Sequence, residues 1–562
     1  MRYLPIVLIL ALLIPGLPRS ARSAWTPGGS PVSAAVENQT GPVTVPDGAG
    51  GAIVAWGDYR SGGSDIYAQR IDATGNPLWT LDGVALCTND RVQSQPTIVS
   101  DGAGGAIVAW TDYRNGTSAD LYAQRVSAAG TVLWTADGVA VCTAADEQVG
   151  TPMVSDGAGG AIITWHDYRS GSGYTDIHAQ RINASGTPQW TIDGVAICTA
   201  ANHQTLPVID TDGAGGAIIA WQDGRGGGNN DIYAQRVNAA GVPQWTADGV
   251  ILCGLSAGQI APVILSDGAG GAIVTWLDGR NGPGGDVYAQ RVSALGSPQW
   301  TANGIAVCIA PSFQSGPTMA SDGANGAIIT WYDYRNGTDY NIYVQRVSNL
   351  GVPQWTANGV AVCTAAGEQW FPLIVSDGAG GALISWGDTR SGVGYDAYVQ
   401  RVDATGTPVW AVNGISPAPG SDEGTAAMAS DGAGGAIVAW EDFRNTVDYD
   451  IYALRLDASG AIPVGVSGPI HQSTLFVGQA YPNPFSATTW LDIEQAAPSR
   501  LRLEVFDVAG RRVRAMTLGE GTLRRVAFDG RDNAGRLLPS GIYFCRVEAA
   551  GETIARKMVI AR

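Results

Sequence analysis

The 562-residue sequence repeats itself. A block close to Ser-Asp-Gly-Ala-Gly-Gly-Ala-Ile-Val-Ala-Trp-x-Asp-Tyr-Arg recurs, with its first Asp at Asp47, Asp101, Asp156, Asp212, Asp267, Asp322, Asp377 and Asp431. The spacings run from 54 to 56 residues. Eight copies at a fixed period restrict the chain to an architecture in which each unit buries its apolar face against its neighbours. In the second copy, residues 93–100, 106–111, 121–126 and 132–141 read as short strands separated by Gly-rich turns. No segment shows a helical period, which removes the helical solenoids.

Four antiparallel strands per unit of about 55 residues is the pattern of a β-propeller blade. The fold expected is therefore all-β: an eight-bladed β-propeller followed by a small Ig-like β-sandwich. Each copy has a first Trp at the end of its second strand, from Trp56 to Trp440. A second Trp marks the fourth strand at Trp79, Trp134, Trp190, Trp245, Trp300, Trp355 and Trp410, one short of eight. The missing copy stands at the other end of the repeat: Trp25 precedes Asp47 by 22 residues, as Trp79 precedes Asp101. Residues 25–36 thus read as the fourth strand of blade eight, closing the ring and leaving no open sheet edge. An open β-solenoid is the alternative, and it needs no such strand.

The organisation expected is a signal peptide over 1–23, the propeller over 24–462, a linker over 463–474 and a small β-sandwich domain over 475–562. Arg2, the apolar run 4–14, and Ala21-Arg22-Ser23 before Ala24 fit a secretory signal with its cleavage site. No later stretch is apolar for long enough to span a membrane. Residues 24–472 hold 17 Arg and no Lys against 41 acidic residues, a net charge of −24. A nucleic-acid partner needs a basic face, so none is expected.

The repeated residues read as structural. Sixteen of those 17 Arg fall at two positions, in Asp-x-Arg after the first Trp and in Gln-Arg of the third strand (Leu454-Arg455 in the last copy); only Arg91 stands outside. Inter-blade ion pairs and turn hydrogen bonds account for them. A Gln precedes each turn Asp by eight residues, from Gln39 to Gln369, with Glu423 in the eighth place. These side chains either bond the backbone of a neighbouring blade or ring the channel mouth as a polar funnel. Cys87, Cys142, Cys198, Cys253, Cys308 and Cys363 share one position, too far apart from blade to blade for disulfides or a metal site, and read as small buried side chains. No cofactor or metal is implied, and no catalytic residue is assigned.

Two turns of each repeat hardly vary, and the other two loops do. The variable loops, between strands two and three and between blades, share one face of the ring. Candidate ligand-binding residues there are His166, Gln222, Tyr332, Trp370, Tyr395, Glu423, Glu441 and Tyr449, with Tyr174, Phe313, Tyr340 and Phe371 nearby. Loops on a rigid scaffold commonly carry function. One reading is a binding or adhesion protein for a glycan, a peptide or a cationic surface ligand. The other is a carbohydrate-active enzyme, hydrolase or lyase, with Glu423 or Glu441 as acid and Asp448 or His166 assisting, which requires two carboxylates about 5–10 Å apart.

The last ninety residues change sign, with 13 Lys and Arg against nine acidic residues in 473–562. Tyr481-Pro482-Asn483-Pro484-Phe485, Val505-Phe506-Asp507-Val508-Ala509-Gly510-Arg511, Asp529-Gly530-Arg531-Asp532 and Ser540-Gly541-Ile542-Tyr543-Phe544 follow in order, then Lys557-Met558. Together they resemble the FlgD-type Ig-like module and the related type A C-terminal sorting domain of the type IX (Por) secretion system. The resemblance implies a partner in the outer-membrane secretion machinery and an address outside a Gram-negative cell, secreted or at its surface.

Overall fold

The computed structural model describes residues 25–463, 475–477 and 485–562, apart from Ser172, Pro283, Val393, residues 420–422, Ala509, Ala550 and Gly551. The expected signal peptide, and all of the expected linker beyond Pro463, lie outside the described residues. The chain forms two compact units, divided between Gly465 and Val466.

The first unit is an eight-bladed propeller. Blade one has strands a (Gln39–Pro46), b (Ala52–Asp58), c (Asp65–Ile71) and d (Val84–Cys87), paired antiparallel in that order. Seven further sheets repeat it. Strand b is buried along its whole length, which suits a run of Ala, Ile, Val and Trp with no polar alternation. The cores lie between blades: Ile53, Ala55, Ile66 and Leu86 of blade one pack on Ala106, Val108, Trp110 and Val126 of blade two.

The a–b turn depends on one aspartate. Asp47 Oδ1 accepts the N–H groups of Ala49 and Gly51, each at 2.8 Å, and Oδ2 accepts Arg70 Nε at 3.0 Å. A side chain on Gly51 would stand 2.1 Å from the carbonyl oxygen of Ile71, so only glycine fits. Arg70 then reaches onward, and its Nη1 donates to the carbonyl of Ala128 in blade two at 3.0 Å. Trp79 Nε1 donates to the same carbonyl at 3.1 Å. The expected inter-blade ion pairs are thus corrected: the pairs lie within a blade, and the guanidinium crosses to the next blade by a hydrogen bond to backbone.

The same clasp closes the ring. Ser30–Ser33 pairs antiparallel with Asp450–Leu456 as strand d of blade eight. Trp25 Nε1 donates to the carbonyl of Ala73 at 3.0 Å, and Arg455 Nη1 reaches that carbonyl at 3.4 Å. Trp25 and Val32 join one core with Trp440, Ala52 and Trp56.

Strand d is shorter than the sequence suggests. In blade two it spans only Val139–Cys142, and Trp134 lies ahead of it. The side chain of Gln124 takes the place of the ladder, accepting from Trp134 N at 3.0 Å and donating to the Thr135 carbonyl at 2.7 Å. Asp137 and Gly138, both at positive φ, then bulge the chain outward. In blade seven strand d shrinks to one bridge between Val399 and Ile415.

Two further readings change. The buried Gln side chains bond carbonyls of their own loops, as Gln93 Nε2 does with Arg91 at 2.6 Å, so they form neither an inter-blade contact nor a polar funnel. The six cysteines are not merely apolar filling: Cys87 Sγ lies 3.4 Å from Nη2 of Arg114 in the next blade. Burial pushes the Cys87 thiol up to about 12, which keeps it protonated and unreactive.

The second unit pairs its strands into a small sandwich. The sequence suggests separate strands near 490, 501, 512 and 524; the structure fuses them into Thr489–Asp507 and Arg512–Phe528. Thr489–Asp507 pairs at its start with Leu475–Val477 and at its end with Gly541–Ala549, so one strand serves both layers. Leu491, Leu503, Val505, Phe528, Tyr543 and Met558 fill the space between. Glu504 gathers Arg546, Arg512 and Arg502, and the hydrogen bond from Arg546 leads in holding its carboxyl down to about 2.

Replacing the fully buried Trp25 with Ala should cost about 3–5 kcal/mol by cavity formation. Urea unfolding of the propeller, with Leu295→Ala as a surface control at 87% exposure, checks this. Equal midpoints for the two variants would show that Trp25 does not hold the ring closed.

Candidate functional site

The b–c loops and the segments from strand d to the next strand a share one face, as expected from their variability. Each loop starts from a fixed node. Asp58, with no exposed surface, accepts Trp56 Nε1 at 2.8 Å and is gripped by Arg60 at 2.7 and 2.5 Å. The Arg60 guanidinium lies 4.1 Å from the ring centre of Tyr67. All eight blades repeat the Asp–Arg pair, and seven repeat the Arg–Tyr stack. In blade three His178 replaces the Tyr and stacks on Trp165 at 6.2 Å.

The candidate residues do not converge on one place. Tyr332, Trp370 and Tyr395 come together on blades six and seven. His166 lies on blade three against Tyr168, and burial lowers its pKa. Gln222 is held between blades four and five, donating to Thr205 Oγ1 at 2.9 Å and accepting from Ala261 N at 3.2 Å. Glu423 is fully buried in strand a of blade eight, where its Oε2 accepts from Ala397 N at 2.5 Å. Glu441 Oε1 accepts from Gly41 N at 2.6 Å across the seam of blades eight and one. Tyr449 packs on Phe443 at 5.0 Å in blade eight, apart from the other aromatic candidates.

What gathers on blades six and seven is a patch of rings. Tyr332, Tyr334, Tyr340, Trp370, Phe371 and Tyr395 form a network with centroid separations of 4.9 to 6.2 Å. Trp370 belongs to strand a of blade seven (Gln369–Ser376), which fixes its backbone. Glu368 orients it, with Oε2 accepting from Trp370 Nε1 at 3.0 Å and from Tyr340 N at 2.8 Å. Beside the patch a cavity of about 410 Å³ opens between blades five and six, lined by Phe313, Tyr332 and Tyr340 on one side. Its other side is Gly258, Gly279, Gly282, Gly284 and Gly285.

Sequence reasoning missed Glu368, Tyr334 and this glycine wall. The signal for the wall was present: blade five reads Leu277-Asp278-Gly279-Arg280 where most copies have an aromatic before the Arg, and its loop is Asn-Gly-Pro-Gly-Gly. Removing a ring from one blade exposes the rings of the next.

Strand a also carries strain on this face. Its third residue sits in a bulge at positive φ in seven blades, at Gly41, Gln95, Gly150, Leu206, Ala261, Gly316 and Phe371. Glycine adopts that conformation freely, whereas Leu206 and Phe371 do so with 51% and 66% of their surface exposed. A bulky exposed residue in a strained backbone gains nothing for the core, and such outliers cluster at binding sites.

Residues 479–561 match the family described as a secretion system C-terminal sorting domain. The chain is a secreted or cell-surface protein. Its Ig-like unit is the part addressed to the type IX machinery. No curated protein matches the sequence. Among solved structures, an ulvan lyase of polysaccharide lyase family PL25, bound to -[GlcA(1-4)Rha3S]-, shares 10% identity at a TM-score of 0.41, over 66% of this chain and 96% of that one. PorZ, a surface component of the type IX secretion system of Porphyromonas gingivalis, shares 11% at 0.32, over 93% and 75%. An endo-arabinase of Bacteroides thetaiotaomicron shares 12% at 0.26, over 45% and 93%. Scores this low match no residue of this site with any of theirs. Among the described residues, no helix is long and apolar enough to cross a membrane.

Two outcomes follow from these assignments. Phe371→Gly should be more stable than Phe371→Ala by about 1 kcal/mol, because only glycine relieves the positive φ. Denaturant titration of both variants decides it, and the reverse order would remove the strain argument. Deleting 466–562 should leave a folded propeller that stays in the periplasm of the native host. Its normal appearance in the medium or at the surface would show that the sorting unit is dispensable for export.

Proposed function

We propose that the propeller is the ligand-binding part of a secreted or surface-displayed protein, and that it binds a glycan in the groove across blades five to seven. The observation that carries this reading is a run of rings: Phe313, Tyr340 and Tyr332 line an open cavity of about 410 Å³, and Phe371, Trp370 and Tyr395 continue from them across blade seven. Sugar rings present flat C–H faces ringed by hydroxyls. Tyr and Trp offer an apolar face for the first and a polar edge for the second. Few rotatable bonds separate these rings from the scaffold, so little conformational entropy is lost on binding. Half-buried and exposed rings in a contiguous patch on one face mark an interaction site.

The groove includes three of the eight residues singled out from the sequence, Tyr332, Trp370 and Tyr395. Glu423 and Glu441 each hold a backbone N–H of an adjoining blade, a role that needs no chemistry. We read the groove as a site for holding a chain at the cell surface, in keeping with an adhesion role.

A glycan array probed with the full chain tests the reading. Signal should be lost in a Trp370→Ala, Tyr395→Ala double variant. It should persist in Leu295→Ala, Leu350→Ala, which alters exposed residues in the turns of the opposite face. Loss in the second variant with retention in the first would move the site to the other face. No signal with the unaltered chain would end the glycan reading.

A further inference from the structure

Four rings of the groove close on one another. Tyr332 and Tyr340 stand 5.2 Å apart at 83°, and Tyr340 and Trp370 5.9 Å apart at 90°. Trp370 and Phe371 stand 5.8 Å apart at 83°, and Phe371 and Tyr332 6.1 Å apart at 71°. Each ring is close to perpendicular to the next, the relation that the four walls of a box would have. A square of that side has its corners about 4 Å from its centre, inside the reach of roughly 6 Å over which a ring face attracts a cation.

A carboxylate stands at the same box. Glu368 bonds the backbone of Tyr340 and the indole of Trp370, so its charge is fixed between two walls. Burial, then Tyr332 and Glu368, hold the Tyr340 phenol above its ordinary range, which keeps that ring neutral. No arginine of these two blades competes for the site. Arg335 and Arg390 are paired with Asp333 and Asp388, and Arg346 and Arg401 with Asp322 and Asp377. Arg91 lies on the far side of the ring, in a separate cavity with Tyr113 on blades one and two. The repeat region around the box carries a net charge of −24, which draws cations and repels anionic polysaccharides.

We propose that the box receives a protonated amine, and that the ligand is a glycan with free amino groups. This rests on the groove reading above and narrows it. Phe371 supports it independently: its strained backbone places a ring as the fourth wall, where three other blades have glycine. A lysine peptide would offer the same charge. The adjoining cavity and the further rings Phe313 and Tyr395 suit neighbouring sugar units better than a slender side chain.

The test uses the full chain and four probes in titration calorimetry: the β-1,4 hexamers of glucosamine, N-acetylglucosamine and glucose, and hexalysine. The glucosamine hexamer should bind about tenfold tighter than the other two sugars, the scale of one good cation–π and carboxylate contact. Glu368→Gln keeps the acceptor for Trp370 and should erase that preference, bringing the glucosamine hexamer to the affinity of the acetylated one. Trp370→Ala should abolish all sugar binding.

Equal binding of the three sugars, lost in Trp370→Ala, would overturn the amine proposal and leave the groove reading standing. Hexalysine binding alone, lost in both variants, would overturn the glycan reading and keep the cation box. Glucosamine binding untouched by either variant would show attraction to the acidic surface at large and overturn the proposal. Binding of no probe would overturn both.

Discussion

A carboxylate with no exposed surface, gripped by an arginine and an indole, sits in every blade and fixes the loop that follows it. Asp58, Arg60 and Trp56 are the first instance. A buried ion pair adds little to stability by itself, because taking both charges out of water costs about as much as their attraction returns. Its effect is specificity. The aspartate tolerates burial only with every lone pair satisfied, so Trp, Arg and the backbone N–H of Arg60 must all adopt one arrangement. Arg60 also bonds the carbonyl of Asp82, tying the loop to the outer strand. The loop beyond is therefore held at its start whatever its own sequence. That is why one face of this ring can change from blade to blade without loss of the fold.

The opposite face cannot change in the same way. There the second aspartate–arginine pair reaches into the next blade, and the Trp of one blade lies on the turn glycine of another. A side chain on Gly75 would stand 2.9 Å from the ring of Trp25, and one on Gly130 2.6 Å from Trp79. The invariance of those turns is steric. The contrast between faces thus has two physical causes, a clasp on one side and an anchored but open loop on the other.

Much of this was legible in the sequence, since repetition exposes whatever every blade requires. The period, the eight blades and the displaced Trp25 all follow from counting tryptophans. The length of strand d did not, because Gln124 replaces ladder hydrogen bonds with side-chain ones, and a Gln in a strand looks the same either way. The partners of each arginine did not either: Arg70 stands 23 residues after Asp47 and 31 before Asp101, the same position in the next blade, and only the fold chooses Asp47. In the sorting unit, the strands near 490 and 501 looked separate because Gln-Ala-Ala-Pro interrupts the alternation between them, and the ladder shifts register there, between Glu494 and Ser499. The groove was half legible. Its aromatic residues stood out as departures from the repeat, but Glu368 lies in an ordinary-looking loop, and its role depends on Tyr340 and Trp370 coming from different blades.

The strained bulge links scaffold to site. A positive φ on a bulky residue costs on the order of 1–2 kcal/mol. Three blades avoid that cost with glycine at the same place, so the backbone does not require Phe371 there. A closed ring of eight blades with cores packed between them can hold such a residue where a single blade could not, because relieving the strain would mean breaking pairing on both sides of the bulge. The rigidity that makes the propeller stable is then the same property that holds four rings perpendicular without a ligand. Walls already in place need no ordering on binding, and a shallow site can bind by that preorganisation where its contact area alone would not suffice.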